Sequence, residues 1–202
     1  MRAVWLPGSV TDDLTVVVNR NSYITAGVQT LFSGISECFW INLTGFQLIW
    51  WLSVLLGNSA VPVVLLLLVL HIAFHSQPLR EIRVLLVCAI LGFTVDGLLT
   101  LGGVFVFNQG SPWPPVWLVL LWLGFAATLR QCLRFFSRRH LLSAATGSVA
   151  GALTYWAAIN LGAADFGFAV VPSLILLAVV WMALFPALMS LADRLGGDRV
   201  QV

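Results

Sequence analysis

Five polar side chains interrupt long apolar runs of the sequence: Gln47, His71, Asp96, Arg130 and Gln131. Asp96, within Gly92-Phe93-Thr94-Val95-Asp96-Gly97, stands out among them. A carboxyl group among apolar residues either finds a partner or takes up a proton, because a low dielectric disfavours the bare charge. It reads as a proton-binding or substrate-binding group, or as a residue whose hydrogen bonds fix helix packing. Arg130 can clamp an anion through its planar fork, or can simply carry its charge back to water along an apolar stem. His71 and His75 share one helical face at i, i+4. Zinc would also need a Cys, Asp or Glu at their level, and no HExxH-type motif is present, so no metal site is expected. No nucleophile–base pair and no cofactor fingerprint occurs. The sequence therefore assigns no catalytic residue and no cofactor, and leans away from an enzyme. Cys38, Cys88 and Cys132 form no CxxC pair and read as buried thiols.

These residues need elements to hold them, and composition says what kind. Of 202 residues, 60% are apolar and 9% charged. Soluble domains are nearer 25% charged, so this chain could not cover its surface in water. The same figures exclude a disordered chain, a nucleic-acid binder and a disulfide-stapled secreted domain. An all-α, polytopic integral membrane protein remains. Six apolar blocks follow one another, at about 40–56, 61–75, 84–107, 116–136, 141–162 and 166–191. Each approaches the ~20 residues that span a ~30 Å hydrocarbon core. The stretch 76–83 reads as a polar loop between the second block and the third.

All ten basic residues are Arg. Arg80 and Arg83 follow the second block, Arg134, Arg138 and Arg139 end the fourth, and Arg194 and Arg199 follow the sixth. The alternate turns carry none. The positive-inside rule then places both termini in the cytoplasm of a plasma membrane, with Trp113 and Trp117 in an outer aromatic belt and Trp40 in an inner one. Counting at ~1.5 Å per residue puts Asp96 about 19 Å from the cytoplasmic end of its helix, Arg130 about 9 Å, Gln47 about 10 Å and His71 about 6 Å. The expectation is a polar pocket on the cytoplasmic side, built from Gln47, His71, Arg130 and Gln131, with Asp96 deeper.

Residues 1–38 carry charges and only short apolar runs, with no apolar core of a signal peptide. They read as a cytoplasmic tail or an upstream extension, with the helical domain at 39–195 and a short tail at 196–202. In the fifth block Ser143, Gly147 and Gly151 form a small-residue ridge for close packing, within the bundle or between protomers. Trp50 and Trp51 read as lipid-facing or core-filling rings.

Phe39-Trp40-Ile41-Asn42 with Gly45-Phe46-Gln47, the run Trp117 to Leu129, and Gly147 to Gly151 followed by Tyr155 and Leu161-Gly162-Ala163 together resemble domain-of-unknown-function family 2878. The resemblance covers about 39–195. It implies a small bacterial inner-membrane protein and brings no activity, substrate or catalytic residue. Membrane lipids are the expected partners, with a second copy of the chain or another membrane protein left open. Three functions stay in view: holding a lipid or other hydrophobic molecule in the polar pocket, proton-coupled transport through Asp96, and lipid-modifying chemistry. A structural subunit of a membrane complex is a fourth. No inverted repeat supports the transporter.

Overall fold

A computed structural model describes residues 34–107 and 113–197. Six α-helices account for most of them: α1 (Phe39–Leu56), α2 (Val61–Ala73), α3 (Pro78–Leu101), α4 (Val116–Ala126), α5 (His140–Asn160) and α6 (Val170–Gly196). The all-α expectation holds. Three helical stretches are long and apolar enough to cross a membrane: 39–73 taken together, α3 and α6.

The 39–73 stretch is a hairpin, not one rod. Gly57 adopts φ 54°, a conformation that L side chains rarely tolerate, and a short 3₁₀ turn then reverses the chain before Pro62 opens α2. The far ends of the hairpin meet. Gly34 N–H donates to the Phe74 carbonyl at 2.8 Å, and the Ser76 N–H donates to Glu37 Oε1 at 3.0 Å.

The same alternation runs through the chain and gives the bundle two unlike ends. At one, Asn58 accepts from the Trp117 N–H at 3.2 Å, and the strands β1 (Phe105–Val106) and β2 (Asp165–Phe166) pair antiparallel. At the other gather the exposed side chains of Arg80, Arg83, Arg134, Arg138, Arg139 and Arg194. There Ser137 donates to Asp193, tying the turn before α5 to α6. Between the ends, Ile90, Leu98, Val149, Leu153, Ile175 and Val179 leave an apolar exterior.

The core lies among α3, α4 and α6, where the Trp122 and Trp181 rings stack at 5.7 Å and 9°. The small-residue ridge of α5 packs within the bundle. A Cβ at position 147 would lie 2.7 Å from the Trp181 carbonyl oxygen, so only glycine lets α5 and α6 approach this closely.

Several boundaries differ from those read off hydropathy. α3 begins at Pro78, inside the expected polar loop; proline suits a first helical turn, and Glu81 in that turn faces the positive end of the helix dipole. α4 stops at Ala126 instead of continuing to 136, and the chain passes through turns to a 3₁₀ segment at Arg134–Phe136. Asn42 caps the polar backbone this exposes: its amide donates to the Ala127 carbonyl at 3.0 Å and accepts from the Cys132 N–H at 3.4 Å. α6 runs on to Gly196. Trp117, expected at a water boundary, is buried, whereas Trp40 and Trp113 are exposed. Cys38 is exposed and only Cys88 and Cys132 are buried. Most of the expected tail, residues 1–33, lies outside the described residues. Its last part is not a tail, since Ser36 is buried and Gly34 and Glu37 bond to the end of α2.

Candidate functional site

Helix α3 carries two fully buried carboxylates, Glu81 and Asp96. Fifteen positions separate them, roughly 22 Å along the helix. Each organises a polar cluster, and the two clusters are chemically opposite.

Glu81 lies at the arginine-rich end. Its Oε1 is 3.2 Å from His71 Nε2, and its Oε2 is 3.2 Å from His75 Nε2 and 3.5 Å from Arg130 Nη1. The two histidines reach the same carboxylate because His71 stands in the last turn of α2 and His75 just past its end. His75 Nδ1 accepts the Gln77 N–H at 3.0 Å, so a neutral ring carries its proton on Nε2, towards Glu81. The Gln131 amide lies 3.0 Å from that same Nε2, and Glu37 Oε1 approaches Nδ1 at 3.7 Å. Arg130 also donates from Nη2 to the Gly196 carbonyl at 3.3 Å. Its guanidinium occupies the place a Cβ at residue 196 would take, which explains the glycine there. One carboxylate thus joins α2, α3, the turn after α4 and the end of α6.

Asp96 lies deeper, against a cavity of about 590 Å³. Tyr155 O–H donates to Oδ1 at 2.7 Å, and Trp122 Nε1–H donates to Oδ2 at 2.8 Å. No Arg or His stands within ion-pair distance of it among the described residues. The cavity walls come from α1, α4, α5 and α6 and are largely aromatic, with Trp50, Phe125 and Trp181 beside Trp122 and Tyr155. Phe105 stacks on Tyr155 at 5.1 Å. Gln47 and Trp51 of α1 and Leu153 and Thr154 of α5 line the cavity and are also exposed, so it opens on the bundle's flank between these helices.

The five residues singled out by sequence are therefore divided. His71, Arg130 and Gln131 converge around Glu81, while Gln47 and Asp96 line the cavity. Arg130 and Asp96 do not pair. Trp50 and Trp51 prove to be cavity walls. Glu81, Glu37, Trp122 and Asn42 carry structural roles the sequence reading did not give them. A pair of histidines on one face at the start of a basic segment was the available signal for Glu81. Among the described residues, no group of three or more His, Cys, Asp or Glu side chains is arranged to hold a metal ion.

The apolar exterior and the long apolar helices are compatible with a membrane protein. The chain belongs to the family described as protein of unknown function (DUF2878), whose model matches residues 39–187. No curated protein and no solved structure matches it.

Proposed function

We propose that this protein spans the membrane six times with both termini cytoplasmic, and that it binds a lipid or another hydrophobic molecule in the aromatic cavity. The observation that carries the binding is the cavity itself. Its volume lies within the 300–1,000 Å³ range of small-molecule sites, its walls are mostly apolar, and the polar groups of Asp96, Tyr155 and Trp122 meet on its wall. Its mouth lies on the flank, where a molecule dissolved in lipid arrives directly. The arginine end is a poorer candidate. Arg130 is already committed to Glu81 and the Gly196 carbonyl, so the anion clamp considered from the sequence has no free fork. The six-span orientation rests on the arginines, which gather at one end as the positive-inside rule requires.

Native mass spectrometry of protein extracted in mild detergent tests the binding. A retained hydrophobic molecule should appear on the native protein and vanish on Ala150→Phe, which fills the cavity from an exposed position on α5. Bound mass that is absent, or indifferent to this change, would sink the reading. Reporter fusions after Arg83 and Arg139 should behave as cytoplasmic and one at Asp165 as external; the inverse pattern would refute the orientation.

A further inference from the structure

The two carboxylates of α3 differ in how their charge is balanced. Glu81 meets His71, His75 and Arg130, whereas Asp96 meets only neutral donors, one on each oxygen. Besides Asp96, the cavity lining contains no Asp, Glu, Lys, Arg or His among the described residues. We propose that the missing positive charge belongs to the ligand, and that the cavity takes a lipophilic organic cation, such as an ammonium group on an apolar body. This rests on the cavity binding a hydrophobic molecule and names the class of that molecule.

Three observations converge on a cation. First, the two donors leave lone pairs free on both carboxylate oxygens, since an ionised carboxylate offers about four acceptor positions. Second, Trp122, Tyr155, Phe105 and Trp181 cluster around it, with Tyr155 and Trp181 centroids 6.1 Å apart. Aromatic rings beside a carboxylate attract a poorly hydrated cation through their negative faces, and the attraction grows when water is excluded. Third, no basic side chain lines the cavity among the described residues, so an anionic headgroup entering it would meet the Asp96 charge with none of them to offset it. A proton on Asp96 is the competing way to reach neutrality. A cation must displace that proton, which makes the two states separable by experiment.

Isothermal titration of the full-length protein in uncharged micelles, with three aryl probes, tests this. Tetraphenylphosphonium and tetraphenylborate have nearly the same shape and opposite charge, and triphenylphosphine oxide is a smaller neutral probe in which an oxygen replaces one phenyl ring. The phosphonium should bind at least tenfold tighter than the neutral oxide, and tetraphenylborate should bind weakest of the three. Asp96→Asn should erase the preference for the cation, lowering the ratio of phosphonium to oxide affinity about tenfold. Equal binding of phosphonium and oxide to the unaltered protein would overturn the inference and leave Asp96 as a protonated packing residue, with the cavity reading intact. Binding of borate as tight as phosphonium would also overturn it. The comparison among probes on the native chain stands even if the Asn variant does not fold. If neither phosphonium nor oxide binds, the cavity reading falls as well.

Discussion

Glu81 and Asp96 share a helix, a charge type and full burial, yet their surroundings assign them different work. Around Glu81 the neighbours are a cation and two imidazoles, and two of the three are held by a second contact: Arg130 by the Gly196 carbonyl and His75 by the Gln77 N–H. Such a set locks elements together, and truncating one member leaves the rest buried and unpaired. Around Asp96 the neighbours are neutral and border the cavity. A carboxylate kept in apolar surroundings without a counter-ion weakens the fold unless something outside the chain completes it. The lesson is that burial alone does not tell the two carboxylates apart; the charge of their neighbours and the cavity beside Asp96 do.

The comparison breaks most readily at Glu81. Glu81→Ala should destabilise the protein by about 3–5 kcal/mol, because His71, His75 and Arg130 lose their common acceptor. Thermal unfolding in micelles would register this as a large fall in Tm; an unchanged Tm would mean the cluster is not a lock. Gly151→Ala comes next. Its new Cβ would meet the Trp181 ring, so overpacking of about 1–3 kcal/mol should appear, whereas Gly45→Ala, with open space around it, should be silent. Arg130→Lys should cost about 1–2 kcal/mol, since an ammonium cannot reach both Glu81 and the Gly196 carbonyl in the fork geometry. Equal stability of the Lys variant would show that Arg130 merely carries its charge to water. The smallest effect is expected at Asp96→Asn, below about 1 kcal/mol. The Asn oxygen can accept from Trp122 while its amide donates to the Tyr155 oxygen, which leaves only the Tyr155 hydroxyl proton to turn towards the cavity. A loss as large as that at Glu81 would abolish the distinction between the two sites.

The helices were legible because length and apolarity dictate them, and five of the six blocks begin within about four residues of the expected place. The clusters were only partly legible. Counting along a helix gives depth but no azimuth. Asn42 and Gln47 are five positions apart on α1, about 140° around the helix, so one meets the chain after α4 and the other lines the cavity. Matching depths for Gln47, His71 and Arg130 therefore could not reveal that they face different places. Glu81 was hidden for another reason. Its residues 76–83 look polar because they leave the apolar layer, and hydropathy cannot tell a loop from a helix emerging into water. Its partners lie 10 residues away at His71 and 49 away at Arg130, a spacing with no local signature.

The clasp between Gly34 and Phe74, with Glu37 on Ser76, bears on how the chain is made. These contacts join residues 34–37 to residues 74–76 and require nothing further along the sequence. As the chain leaves the ribosome, the α1–α2 hairpin can tie its own ends before α3 exists. It then presents His71 and His75 as a finished receptor for Glu81, whose arrival four residues after Gln77 docks the next helix. At this corner of the molecule the contacts are local enough for assembly to follow the order of synthesis.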